Sequence, residues 1–172
     1  MSNYDLDQLG SRICIIGPSC SGKSTLANQL ANKLNIPVFH LDQMAHKPNT
    51  NWERRSDDEF IIEHDQVILQ DAWIIDGNYS ICMEKRFAHA TAVIWIEIPF
   101  LVFLWRYFYR SIRSDKIRYG KLEGAKREFG FKLVKYTLFN YPKNKKKYVE
   151  ILKNYSIPIL RIDSNNNYIL DK

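Results

Sequence analysis

The chain is poor in cysteine, has no long apolar run and has no histidines at metal-ligand spacing, and each lack removes a class of protein. Three cysteines, Cys14, Cys20 and Cys82, are an odd number at unrelated spacings, which argues against both a disulfide framework and a metal knuckle. Cys14 lies in an apolar segment and is expected in the core. None of the four histidines has a partner at ligand spacing, and His64 is predicted to be an ordinary surface or boundary residue. The longest apolar stretch, Thr91–Trp105, is interrupted by Glu97 and Pro99 and falls short of the roughly 20 residues that span a bilayer. The opening MSNYDLDQLGSR has no basic segment followed by an apolar one, so no signal peptide is expected. With no internal repeat or low-complexity segment, the expectation is one cytoplasmic domain over 1–172, with no membrane partner.

What is present is a globular composition, 45% hydrophobic and 26% charged, in a chain of 172 residues. The net charge of +6 is unevenly spread. Pro99 to Lys153 holds fifteen Lys/Arg against four Asp/Glu, while the remainder is acidic by five. Such polarity suits either polyanionic phosphates or a nucleic-acid surface.

One stretch carries a specific chemistry. Gly17-Pro18-Ser19-Cys20-Ser21-Gly22-Lys23-Ser24 fits G-x-x-x-x-G-K-[ST], with Thr25 directly after it. Gly17 and Gly22 let the backbone curl so that its N–H groups converge on an anion. Lys23 is placed to reach the outer phosphates and the Ser24 hydroxyl to sit on a Mg²⁺ bridging them. The flanks agree. Arg12–Ile16 is a short buried strand, and Ser24–Leu34 is a helix with Leu26, Leu30 and Leu34 on one face. The free N–H groups of that helix would point at the phosphates. The stretch is a nucleotide phosphate site.

Further along, Pro37–Leu41 is a second strand with Asp42 at its C-terminal end, where ligands of open α/β sheets bind. Asp42 is therefore either chemical or a turn cap. Gln43–Arg55 is predicted to be a loop. Ser56–Glu59 is a capping box, opening a helix that buries Phe60, Ile61, Val67, Ile68 and Leu69. Trp73–Gly77 is a third strand ending in Asp76–Gly77. Asp76 either holds the water shell of Mg²⁺ or is a turn residue. Tyr79–His89 is a short helix and Thr91–Ile98 a fourth strand. After Pro99, the helix Phe100–Arg113 projects Arg106, Arg110 and Arg113 from one face as clamps for transferring phosphates, or as a solvated stripe. Leu101, Leu104, Trp105 and Phe108 are expected to bury its other face. Ser114–Gly124 has the composition of a mobile flap. Ala125–Asn140 and Pro142–Asn154 are predicted helices, and Pro158–Ile162 is a fifth strand followed by the loop Asp163–Asn167. Strands alternating with helices predict an α/β fold, a parallel sheet covered on both faces.

The assembled features resemble the adenylate-kinase-like P-loop kinases, and more narrowly the bacterial proteins labelled DNA topology modulation protein or adenylate kinase-related. The stretches that carry this are IIGPSCSGKSTLANQL, FHLDQMAHKPNTNW, WIIDGNYS, VIWIEIP with LWRYFYRSIR, and NYPKN, which together span nearly the whole chain. The resemblance implies a P-loop NTP hydrolase fold whose five parallel strands run in the order 2-3-1-4-5, with a small lid at about 114–124. It implies ATP and Mg²⁺ at Gly17–Thr25, Asp76 beside the metal, and lid arginines among Arg106, Arg110 and Arg113. Nucleoside monophosphate kinases have Asp-Gly-Phe-Pro-Arg after the third strand, where this chain has Asp76-Gly77-Asn78-Tyr79-Ser80 and its nearest arginine is Arg86. That departure argues against AMP as acceptor.

The leading expectation is therefore a kinase that moves the ATP γ-phosphoryl group to a small-molecule or nucleotide acceptor. Lys23, Arg106, Arg110 and Arg113 would stabilise the transferring group, and Asp42 would orient or deprotonate an acceptor hydroxyl. Asp42, Asn78 and Arg86 are the expected acceptor contacts, within a pocket also bounded by Trp52, Arg54 and Arg55. Asn165 is a guess for adenine. The alternative is an ATP-switched nucleic-acid-binding or regulatory protein. Its support is the basic segment with its interleaved Tyr107, Tyr109, Tyr119, Tyr136, Tyr141 and Tyr148.

Overall fold

The computed structural model describes residues 6–112, 119–124, 131–164 and 168–171. Arg113, Ser114–Arg118 and Asn165 lie outside them. Five parallel strands form the sheet: β1 (Arg12–Ile16), β2 (Val38–His40), β3 (Trp73–Asp76), β4 (Ala92–Ile96) and β5 (Ile159–Ile162). Their order is β2-β3-β1-β4-β5, with all four contacts parallel. A sixth strand, β6 (Tyr168–Asp171), adds antiparallel to β5 and was not foreseen from the sequence.

Parallel strands need crossovers and are covered on both faces, which explains their continuous apolar runs. Along β1, Ile13 and Ile15 face one core with Ile74, Ala92, Ile94 and Leu160. The helix α1 (Lys23–Leu34) covers that face with Ala27, Leu30 and Ala31, and Leu26 and Leu34 pack at its edge. Cys14 and Ile16 point the other way, into a core with Trp73, Ile75, Val93 and Trp95. On that face lie α2 (Leu41–Ala45), α3 (Asp57–Ile68), α4 (Met83–His89) and α7 (Tyr141–Leu152). The remaining helices are α5 (Phe100–Ile112) and the short α6 (Phe131–Lys135). A π-helical stretch, Tyr136–Asn140, joins α6 to α7 without a break, where two separate helices were expected.

Local signals explain several boundaries. The Ser56 hydroxyl accepts from the Glu59 amide while the Glu59 carboxylate accepts from the Ser56 amide, closing the capping box that starts α3. Asn35, in the left-handed region, ends α1.

Other expectations fail. Gln43–Arg55 is not all loop, because α2 occupies its start and His46 bridges Arg54. Leu69 is exposed at the end of α3, beyond the turns that pack. His64, expected to be a surface or boundary residue, is fully buried. On α5 the buried residues are Phe103 and Tyr107, whereas Leu101, Trp105 and Phe108 are exposed. Among the described residues no helix is long and apolar enough to cross a membrane.

Candidate phosphate-binding site

The C-terminal ends of β1, β2 and β3 open on one sheet edge, and the loop after β1 turns there into α1. Gly17 permits that turn. Its φ is +148° and a Cβ would stand 2.4 Å from the Ile96 carbonyl oxygen, so no larger residue fits. The Asn78 side chain then grips the loop at its origin. Its Oδ1 accepts from the Gly17 amide at 3.0 Å, and its Nδ2 donates to the Gly17 carbonyl at 2.5 Å. Asn78 was expected to hold the acceptor; both ends of its amide are instead committed to the loop. Tyr148 Oη in turn donates to the Asn78 carbonyl at 3.1 Å, so α7 supports the same corner.

Within the loop, Pro18 and Ser19 lead to Cys20, which takes a positive φ of 57°. Ser21 is buried, and its hydroxyl has no hydrogen-bond partner among the described residues. Gly22 caps α1 in the left-handed region with open space where a Cβ would be. Lys23 and Ser24 form the first turn of the helix, followed by the exposed Thr25. The twelve-residue α1 therefore presents its unpaired N–H groups and positive end to the cradle.

Lys23 folds back, Nζ donating to the Pro18 carbonyl at 2.8 Å. Burial lowers its pKa from the ordinary lysine value, opposed by the nearby carboxylates of Asp76 and Asp42. A polyanion in the cradle would offer Nζ a partner in place of the Pro18 carbonyl and favour its charged form.

The Ser24 hydroxyl donates to Asp76 Oδ2 at 2.7 Å. The other oxygen, Oδ1, lies 2.5 Å from His40 Nδ1. This contact follows from register, since His40 and Asp76 are paired neighbours at the ends of β2 and β3. The sequence reading missed His40. Its only signal was its position two residues before Asp42 on a strand end, because histidine spacing says nothing about a carboxylate partner on another strand.

Asp42 sits in the first turn of α2 rather than in a loop, and accepts from Tyr79 Oη at 2.9 Å. It is exposed on the same edge as Lys23, close enough for their charges to interact. From α5, Arg106 Nη1 donates to the Ser21 carbonyl at 3.0 Å, and Arg110 lies near enough to Lys23 to repel it. The arginine face of α5 thus meets the loop. It is also the core-facing side, since Phe103 and Tyr107 alternate with these arginines at helical spacing.

Arg86 does not reach the edge. It is fully buried beneath the sheet, with Nη2 donating to the Gly77 carbonyl at 3.3 Å and Nε and Nη1 without partners among the described residues. The guanidinium is walled off by core residues, so it is not an acceptor contact. Arg54 pairs with Asp57 at the start of α3 at 2.7 Å and Arg55 with Glu63 in the middle of that helix at 2.6 Å, so both are engaged by α3. Trp52 stacks edge-on against His46. Of the flap, the described part 119–124 lies across the site: a Cβ on Gly120 would meet Ser24 Oγ at 2.9 Å. Gln43 Nε2 donates to the Lys121 carbonyl at 3.0 Å, and the Asn49 amide to the Glu123 carbonyl at 2.8 Å.

A family model described as an AAA domain matches residues 12–72, which run from β1 through the loop and α3. Shikimate kinase of Aquifex aeolicus (strain VF5) is 28% identical over 110 residues, covering 55% of this chain and 64% of that protein. The chain therefore matches under two thirds of that relative's length. Among solved structures, a gluconokinase from Sinorhizobium meliloti 1021 superposes with a TM-score of 0.57 at 15% identity, over 93% of this chain and 85% of that one. The Aquifex shikimate kinase gives a TM-score of 0.52 at 19% identity, covering 91% and 87%. The YorR protein of Bacillus subtilis, solved with phosphorylated GDP, gives 0.52 at 16%, covering 89% and 85%. This is the P-loop NTP hydrolase fold.

Within the P-loop fold, the sequence likeness is to a kinase, and the structural likenesses show the fold that the two share. They do not support the narrower resemblance to topology-modulation proteins. Of the tyrosines interleaved in the basic segment, Tyr109 and Tyr119 are exposed and others are not. Tyr107 and Tyr148 are buried, and Lys145 pairs with Glu97 at 2.7 Å. Among the described residues, no three His, Cys, Asp or Glu side chains are grouped to hold a metal unaided.

Proposed function

We propose that the protein, acting as one unit over 1–172, is an ATP-dependent kinase that phosphorylates a small molecule bearing a hydroxyl group. The observation that carries this reading is convergence. Loop amides, Lys23, the Ser24–Asp76 pair, Asp42 and two arginines of α5 all meet at one sheet edge.

Gly17–Thr25 would hold the phosphates through backbone N–H groups at the start of α1. A hydroxyl and a carboxylate 2.7 Å apart suit Mg²⁺, which prefers a few hard oxygen ligands and keeps water for the rest. Bound there, Mg²⁺ would supply charge neutralisation on the phosphate oxygens. Lys23 and Arg106, with Arg110 and Arg113, would stabilise the charge spread over the transferring group. Asp42, anchored by Tyr79, would orient the acceptor hydroxyl and take its proton. The segment at about 114–124 would act as the lid, keeping water from the γ-phosphoryl group. A cytoplasmic location fits a supply of ATP.

The acceptor class rests on two observations. Arg86 and Asn78 are already committed inside the protein and do not face an acceptor phosphate, and two of the three named relatives, the shikimate kinase and the gluconokinase, are named for polyhydroxy acids. The test is ADP release from MgATP in the presence of a panel of polyhydroxy acids, sugars and nucleoside mono- and diphosphates. The reading expects release that depends on at least one hydroxyl-bearing acid or sugar. Release stimulated only by nucleoside phosphates would overturn the acceptor class, and acceptor-independent hydrolysis would overturn the kinase.

A further inference from the structure

The contacts around Asp76 close into a ring. The Ser24 hydroxyl donates to Asp76 Oδ2, and Asp76 Oδ1 meets His40 Nδ1. His40 Nε2 meets Asn28 Nδ2 at 3.1 Å, and the same Nδ2 donates to the Ser24 carbonyl at 2.8 Å, one turn back along α1. The last bond decides the hydrogens. A backbone carbonyl only accepts, so the Asn28 atom facing it must be the NH₂ nitrogen. That nitrogen has two hydrogens, one for the Ser24 carbonyl and one for His40 Nε2. Nε2 is therefore an acceptor, and the imidazole proton must be on Nδ1, donated to Asp76. His40 and Asp76 are both buried, so neither side chain has water as a ready alternative partner.

Resting on the kinase reading, we infer that His40 is a positioning residue for the metal-holding carboxylate. It fixes the Asp76 rotamer from β2, while Asn28 fixes the His40 tautomer from the helix that carries Ser24. Metal-facing groups on α1 and β3 are thus tied together through a third element, β2. Without the Nδ1–H donor, Asp76 Oδ1 is buried without its partner, and the carboxylate is free to rotate away from Ser24. Partners of this kind change metal affinity by about 10- to 100-fold when removed.

The test is ATP binding by calorimetry on the full chain, in EDTA and in excess Mg²⁺. For the wild type, Mg²⁺ should tighten ATP binding. His40→Ala should lose about tenfold of that gain while its affinity in EDTA stays within about twofold. His40→Asn should recover most of the loss, because an asparagine Nδ2 occupies the place of the imidazole Nδ1. Asn28→Ala should shift the gain in the same direction by less. A full Mg²⁺ gain in His40→Ala would overturn the inference, as would an equal loss in both buffers or an Asn variant no better than Ala. Each of those results leaves the kinase reading standing. Failure of the wild type to bind ATP in either buffer would overturn that reading itself.

Discussion

Two clusters of polar side chains meet the chain at the end of β3, one through Asp76 and the other through the Gly77 carbonyl, and they are organised oppositely. At the sheet edge, Ser24, Asn28, His40 and Asp76 come from three elements, and each finds its partner in a closed circuit. Beneath the sheet, Arg86 and His64 are fully buried beside Cys14 and Cys82, and three of their nitrogens have no partner among the described residues. Burial raises the Cys14 thiol to about 12 despite the adjacent guanidinium, and holds His64 down at about 4. A satisfied polar network fixes geometry, whereas an unsatisfied one costs stability and aims at nothing. The first is where chemistry is expected, and the second is a structural debt of the core.

The sharpest way to separate the two is to disable the edge without touching the core. Lys23→Ala should lower ATP turnover by on the order of 10³-fold, with an unfolding midpoint close to the wild type. Turnover within a few fold of the wild type would remove the donor site. Arg106→Ala should follow with a loss of about 10²-fold, since it both braces the Ser21 carbonyl and faces the loop.

The core cluster should respond in stability instead. His64 is neutral when folded down to about pH 4, whereas an unfolded histidine takes a proton near 6.5. As pH falls from 6.5 towards 4 the unfolded state binds the extra proton, so stability is lost across that window and levels off below it. The loss is about 3 kcal/mol at most, and His64→Gln should shrink it in urea titrations at pH 7.5 and 4.5. An unchanged pH dependence in His64→Gln would show that the folded core already accepts the charge. Smallest of all, Arg86→Met should leave stability within about 1 kcal/mol or raise it, and should keep ATP affinity, because a poorly paired buried charge is removed with its desolvation cost. A loss of ATP affinity in that variant would place Arg86 in the site after all.

These contrasts also mark what the chain reveals before folding. The phosphate loop is legible because its chemistry is local: glycines, a lysine and a hydroxyl at fixed spacing, between a strand and a helix. The capping box at Ser56 follows from short-range signals as well, whereas the strand order comes only with the family resemblance. The face of α5 does not. Apolar residues at 101, 103, 104, 105, 107 and 108 surround the helix, so no spacing chooses between them, and only docking buries Phe103 and Tyr107. Asn78, Arg86 and His40 share that difficulty. Each owes its role to a partner at least nine residues away in sequence, namely Gly17, Gly77 and Asp76. The antiparallel β6 pairs with the edge strand β5 through backbone hydrogen bonds, which leave little trace in side-chain pattern.

The central claim is that the bend from Gly17 to Thr25 grips a triphosphate. Calorimetric titration of the wild type with MgATP, and separately with adenosine, tests it most directly. The account predicts saturable heat for MgATP, at least about a hundredfold weaker binding of adenosine, and loss of most of that difference in Lys23→Ala. No heat with MgATP, or equal affinity for ATP and adenosine, would contradict it.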